Sequence, residues 1–248
     1  MTSSEHPHRR SLVPAFVLHG RPYRNTSLII DVFTESRGRV GIVARGARGG
    51  KRARSGLLQP FQPLLLSWSG RGELGTLTGV EAAGRATLPK GRRLYSAFYV
   101  NELIMKFLHR DDPHPVLFSH YREILDLLAG SGDEESAIRR FEVQLLQEMG
   151  YGLIFDHEIA TGDAISAEYQ YAYHIEAGPL YLAEGNVTPD VDTTPVSGAT
   201  LLALQAGSLE GEQVRREARR LLRQVIAHHL GGKPVESRLL FTAAGYNE

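Results

Sequence analysis

The stretch LIIDVFTESRGRVGIVARG, Leu28 to Gly46, decides the fold. Two apolar runs rich in β-formers, Ser27–Phe33 and Val40–Ala44, flank the polar group Glu35-Ser36-Arg37-Gly38. That arrangement predicts a β-hairpin with its turn at Glu35 to Gly38. A further run, Pro14–Leu18, lies upstream, with Gly20 and Pro22 as turn signals between. Two more lie downstream, Leu57–Trp68 and Glu73–Ala83, set off by Gly46–Ser55 and by Ser69-Gly70-Arg71-Gly72. Five short strands in about seventy residues fit a small closed barrel such as an OB-fold, and an SH3-like barrel would give nearly the same pattern. Pro60 and Pro63 predict that the fourth run is irregular or lies on an edge.

After Pro89 the period changes from strand to helix. Arg92–His109, His114–Leu128 and Glu134–Met149 carry apolar residues at helical spacing, with Asp133 as a cap for the third and Gly150 as its stop. Tyr151 to Pro195 is less regular. Within it, Tyr169–Ile175 and Leu180–Ala183 are expected to form a hairpin around a turn at Gly178-Pro179. Two more helices are expected at Ser197–Ala206 and Gly211–Leu230, the last ended by Gly231-Gly232 and Pro234. The reading is an α+β protein: a five-stranded barrel over residues 1–83, then an α-helical domain over 84–248 with an insert around 151–195.

Composition narrows the function. The chain has 248 residues and no cysteine, which excludes disulfides, thiol catalysis and thiolate zinc sites. Its ten histidines show no metal-ligand spacing, and neither a nucleophile elbow nor a paired-carboxylate motif occurs. No cofactor and no enzymatic activity are expected. No run approaches the roughly 18 apolar residues of a membrane helix, and a cytoplasmic protein is expected. Net charge is zero but divided: Met1–Arg93 holds 16 Lys+Arg against 5 Asp+Glu, and Leu94–Glu248 holds 12 against 23. One half therefore carries +11 and the other −11, a split that points the first half at a polyanion.

The basic charge is concentrated in ARGARGGKRARSG, Ala44 to Gly56, which holds Arg45, Arg48, Lys51, Arg52 and Arg54 among glycines and no acid. Such cations neutralise phosphates and release counterions, while glycine lets a backbone approach closely. It is not a phosphate loop of the Walker type, because Arg45 and Arg52 stand where Gly and Ser or Thr are required. Arg21, Arg24, Arg37, Arg39, Arg71, Arg92 and Arg93 extend the candidate DNA-binding set, and Tyr23, Phe61 and Trp68 are the aromatics interleaved with it. Phe61 reads as core; Tyr23, between Arg21 and Arg24, could stack on a base. In the acidic half, Arg139 and Arg140 sit on an amphipathic helix, and Arg215, Arg216, Arg219, Arg220 and Arg223 stripe another. These could meet an acidic peptide that ends in an apolar residue. His228 and His229 are adjacent on a helix, so their side chains diverge by about 100° and cannot easily act as one acid–base pair.

At these residues the chain resembles the bacterial DNA repair protein family RecO. The matching stretches are Ala15–Thr34, Gly38–Arg48, Gly56–Leu77, Leu94–Ile104, Arg139–Gly152 and His228–Phe241, in the family's order. The resemblance implies an N-terminal OB-fold followed by an α-helical domain. It implies a recombination mediator that binds single- and double-stranded DNA, anneals complementary strands and, with RecR, helps RecA load onto DNA coated by the single-stranded-DNA-binding protein SSB. It further implies that the helical domain holds the acidic C-terminal tail of SSB, with Arg139 as the first candidate and Arg140 as the second. Two departures are visible. Some members carry a four-cysteine zinc motif where this chain has Tyr151–Gly185 without cysteine, so packing must hold that segment here. The final motif often has Lys before Ser-Arg; here it is Glu236, which leaves Arg238 alone.

Overall fold

A computed structural model of the chain describes residues 12–49, 56–70, 72–84, 88–182 and 193–245. The fold divides into two compact units: the residues up to Leu88 together with Leu108–Phe118, and Pro89–Phe107 together with the residues from Ser119 onward.

The first unit is a closed barrel of β1 (Val13–Tyr23), β2 (Ser27–Thr34), β3 (Gly38–Ala44), β4 (Pro63–Ser69) and β5 (Gly75–Ala82), in the order β1-β2-β3-β5-β4. It is the OB-fold arrangement. All pairings are antiparallel except β3 with β5, and β1 closes the ring by pairing Val13 with Leu66. A register shift between Val17 and His19 bends the long β1, so that Val13–Phe16 reach β4 while Ala15–Tyr23 pair β2. Inside lie Val17, Ile30, Val32, Val40, Ile42, Leu64 and Leu66. Each fully buried aliphatic side chain of this kind contributes about 1.5–3 kcal/mol.

β2 is buried along nearly all its length, on both faces. The reason is a second cluster outside the barrel, where Phe118 packs on Phe33 and Phe16 at ring separations of 5.3 and 5.7 Å. The expected fourth strand is shorter than its apolar run. Pro60 makes only an isolated bridge to Val17, Phe61 adopts φ 68° with a buried side chain, and β4 starts at Pro63. Proline's missing N–H explains the delay, since it cannot donate to the ladder.

The second unit contains α1 (Arg92–Phe107), the larger part of α2 (Pro115–Ala129), α3 (Glu134–Glu148), α4 (Gly198–Ala206), α5 (Glu212–His229) and α6 (Arg238–Ala243). It also holds a small antiparallel sheet in the order β7-β6-β8, made of β6 (Gln170–His174), β7 (Gly178–Tyr181) and β8 (Thr193–Ser197). Asp133 caps α3 as expected, accepting from the N–H groups of Glu135 and Ser136. The Gly178-Pro179 turn is a correction: both residues lie in β7, paired with His174 and Tyr173, and the hairpin turns at Ile175 to Ala177. Pro179 is tolerated there because β7 is an edge strand. Phe155, Tyr171, Tyr173 and Val196 are buried and pack this cysteine-free segment from within.

Candidate nucleic-acid interface

Two loops meet at one end of the barrel. The β1–β2 turn, Arg24 to Thr26, follows the Tyr23–Ser27 pair, and the loop after β3 begins at Arg45 beyond the Leu28–Ala44 pair. The Arg48 N–H donates to the Thr26 carbonyl at 2.9 Å and zips the loops together. Gly46 (φ 66°) turns the chain, and buried Ala47 and Leu58 anchor the loop in the barrel core. With Ala47 turned inward, Arg45 and Arg48 are exposed on either side of it.

Arg24 at the turn tip has φ 50°. Gly or Asn would adopt that left-handed conformation with less strain, and an ordinary side chain there costs about 1–2 kcal/mol. The Arg24 guanidinium lies 5.2 Å over the half-buried Tyr23 ring. Arg21 precedes Tyr23 by two residues, on the same face of β1. The structure thus brings together Arg21, Tyr23, Arg24, Arg45 and Arg48. Among the described residues, none of these four guanidiniums has an ion pair. Lys51, Arg52, Arg54 and Arg71 lie outside the described residues.

Arg37 and Arg39 are at the other end of the β2–β3 hairpin, roughly 20 Å away at about 3.3 Å per residue. Carboxylates occupy that end. Arg37 pairs with Asp111 at 3.1 Å, and Arg110 donates to buried Asp31 at 2.9 Å and to the Glu73 carbonyl. Burial lowers the pKa of Arg39, which neighbouring Asp31 opposes and Arg110 reinforces. Asp31 and Arg110 form a cluster that sequence reading did not connect, because 79 positions separate them.

Arg92 and Arg93 stand in the first turn of α1. Arg93 donates to the carbonyls of Leu127 at 3.1 Å and Gly132 at 2.6 Å, tying down the end of α2. Arg92 belongs to a separate cleft in the helical unit, with Tyr99, Ile138, Arg139, Arg219, Arg223, Arg238 and Phe241. α1, α3, α5 and α6 each supply an arginine to it. Arg139 donates to Glu142 at 2.6 Å, and Glu142, fully buried, also accepts from the Tyr99 hydroxyl. Burial, reinforced by the Glu142 charge, pushes the Tyr99 phenol well above its ordinary pKa. The Arg139 Nε is buried without a hydrogen-bond partner among the described residues. Arg219 pairs with Glu135 at 2.6 Å, while Arg92 and Arg238 lie over the rings of Phe241 and Tyr99 at 5.9 and 5.6 Å. The cleft sets these arginines around an apolar floor, and Glu134 and Glu135 line it as well.

Arg140 is not in this cleft. It is exposed, donates to the Gly207 carbonyl at 2.9 Å and lines a different groove with Gln144 and Gln147. On the α5 stripe, Arg215 pairs with Asp133 and Arg220 donates to the Pro195 carbonyl. His228 bonds to Glu176 at 3.1 Å, and His229 stacks on Tyr151 with ring centroids 3.8 Å apart, so the two imidazoles serve different neighbours. Sequence reading missed Tyr99 and Phe241 as parts of the cleft: Tyr99 lies inside a long helical pattern, and Phe241 is on α6, a short helix past the last one expected.

Known proteins resemble the chain throughout. The family model described as "Recombination protein O N terminal" matches residues 10–85, and "Recombination protein O C terminal" matches residues 88–239. The chain is similar to the DNA repair protein RecO of Methylococcus capsulatus, 45% identical over 238 residues and 96% of each chain. It is similar to that of Nitrosococcus oceani at 47% over 227 residues, 92% of this chain and 91% of the relative. The Nitrosospira multiformis protein is 43% identical over 232 residues, 94% and 95% of the two chains.

Proposed function

The chain belongs to the RecO family of DNA repair proteins, and from that premise we propose that it is a non-enzymatic recombination mediator that binds and anneals DNA strands. The observation that carries this reading is the exposed arginine group Arg21, Arg24, Arg45 and Arg48 on one end of the barrel, which has no ion pair among the described residues. Two strands held there lose part of their mutual repulsion and pair faster, with no bond made or broken. Tyr23, partly covered by Arg24, offers a stacking surface for an unpaired base. Both single- and double-stranded DNA suit such a phosphate-directed surface.

The arginine cleft supports a second contact in the same reading. Its guanidiniums fit carboxylates, and Tyr99, Ile138 and Phe241 fit an apolar terminal side chain. The acidic C-terminal tail of SSB has that chemistry, and Arg139 rather than Arg140 is the candidate in contact with it. In this scheme RecR joins the complex and RecA is loaded on the cleared strand, in the cytoplasm at the nucleoid. Among the described residues no helix is long and apolar enough to cross a membrane.

The deciding experiment is annealing of complementary strands coated with SSB, with and without the protein. Replacing Arg21, Arg24, Arg45 and Arg48 by Ala should slow annealing at least tenfold. An unchanged rate would overturn the assignment of the barrel end.

A further inference from the structure

Between Arg140 and Arg215 the chain runs for 74 residues, Phe141 to Val214, without a lysine or arginine, while carrying 12 Asp+Glu. The β6–β8 sheet and the segment before it lie in this stretch. Its surface shows two large aromatics, Tyr169 and Tyr181, 50% and 45% exposed, with ring centroids 5.1 Å apart. Ile159, 36% exposed, adjoins them; its N–H donates to the Pro179 carbonyl on β7, two residues from Tyr181. The tyrosines open onto a recess of about 420 Å³ that is also lined by Glu158 and Asp163.

The carboxylates there divide into two kinds. Glu158 is buried, and its oxygens accept from Thr161 and from the Tyr181 N–H, so it shapes the recess rather than reaching out of it. Asp163 is exposed and accepts only from the Thr161 hydroxyl among the described residues, and Glu168 is exposed beside Tyr169. An exposed aromatic pair beside exposed carboxylates marks a contact site, because tyrosine is enriched where interfaces concentrate their binding energy. Ring faces are themselves electronegative and attract guanidinium and ammonium groups. Aromatics and carboxylates therefore select the same partner.

We propose that the Tyr169–Tyr181 face is a docking site for a basic segment of a partner protein, with Arg or Lys side chains flanking an apolar one. The apolar side chain enters the recess against Tyr169 and Tyr181, and the cations lie over the ring faces and toward Asp163 and Glu168. Nucleic acid is the poorer occupant, because its phosphates would approach the Asp163 and Glu168 carboxylates. The site is chemically opposite to the arginine cleft, so one helical unit offers an anion receptor and a cation receptor.

The test uses the full-length protein and three fluorescent probes: the peptide Lys-Phe-Lys-Phe-Lys, the same peptide with Glu for Lys, and an oligo-dT strand. The Lys–Phe peptide should bind, weaken with added salt, and lose at least fivefold in affinity in Tyr169→Ala/Tyr181→Ala. Asp163→Asn should weaken it about twofold. Both tyrosines are about half exposed, and Tyr169→Phe/Tyr181→Phe, which keeps the rings, should retain binding if the face acts as described. Binding of the Lys–Phe peptide that ignores the alanine changes would overturn the proposal. So would tyrosine-dependent binding of the Glu–Phe peptide, or oligo-dT crosslinking at Tyr169 or Tyr181.

Discussion

Replacing Arg139 by Ala should be far more damaging than replacing a surface arginine. Its partner Glu142 has no exposed side-chain area, and Arg139 itself keeps only 12%. Removing the guanidinium leaves a carboxylate in the helical core with Tyr99 as its remaining side-chain donor. Breaking one side of a buried pair costs about 3–5 kcal/mol. A domain of 150–250 residues loses roughly 2–4 °C of Tm per kcal/mol, so the melting point should fall by about 6–20 °C. The double variant Arg139→Met/Glu142→Leu removes both charges and should recover most of the loss. It should still fail to bind an acidic peptide ending in Phe, measured by fluorescence anisotropy. Differential scanning calorimetry of the three proteins checks the chain of reasoning. An Arg139→Ala protein that melts within about 1 °C of wild type would refute it.

The remaining predictions rest on other parts of the molecule. Alanine at Arg21, Arg24, Arg45 and Arg48 removes up to four phosphate contacts, and the slope of log K against log salt for single-stranded DNA should shrink by about 2.8, at about 0.7 per contact. Gly38→Ala places a Cβ 1.7 Å from the Asp112 carbonyl at a residue with φ 63°; a melt should show the barrel destabilised by at least about 2 kcal/mol. Phe118→Ala empties the space against Phe16 and Phe33 and should cost about 3–5 kcal/mol in a denaturant titration. Glu102, Asp133 and Glu217 should make the fold acid-sensitive. Burial raises the pKa of each carboxyl, but hydrogen bonds from Ser237 and Glu236, from Ser136, and from Ser197 outweigh it and hold all three below their ordinary values. Such groups stabilise the fold above their unfolded pKa, near 4, and lose that contribution as pH falls through the folded one, so Tm should be level above about pH 5 and fall below pH 4.

The barrel was legible because its hairpin announces itself locally. Leu28–Gly46 alternates apolar runs with one polar turn, and the structure pairs Thr34 with Gly38 where that pattern puts the turn. The helices α1, α3 and α5 follow from periodicity and from local end signals such as the N-cap Asp133 and the stop at Gly150. The short sheet was half legible. Gly178-Pro179 has turn chemistry, but edge position rather than propensity decides its place in β7, and β8 is too short to carry a pattern of its own. For the candidate site, net charge points to a set of arginines but carries none of their geometry. Nothing local distinguishes Arg45, exposed and without an ion pair among the described residues, from Arg37, matched to Asp111 seventy-four positions away. Likewise Arg139 and Arg140 are neighbours in sequence, yet the step of about 100° between adjacent helix positions directs them to different grooves.

The two arginine groups differ in what holds them, and that difference has a consequence in salt. Arg21, Arg24, Arg45 and Arg48 are exposed and answered by no acid among the described residues. Their attraction for a polyanion is long-ranged and mostly counterion release, so it falls steeply as salt rises. In the cleft, Arg139 is pinned by buried Glu142, and Arg92 and Arg238 lie over aromatic rings. A ligand there gains its affinity from short hydrogen bonds and from an apolar side chain between Tyr99, Ile138 and Phe241, which salt screens far less. Raising NaCl from 50 to 300 mM should therefore release single-stranded DNA while an acidic, Phe-terminated peptide stays bound within about threefold of its low-salt affinity. Parallel loss of both ligands over that range would mean that the cleft, too, acts as a diffuse cationic surface, and that its buried carboxylate and aromatic floor do not define what it binds.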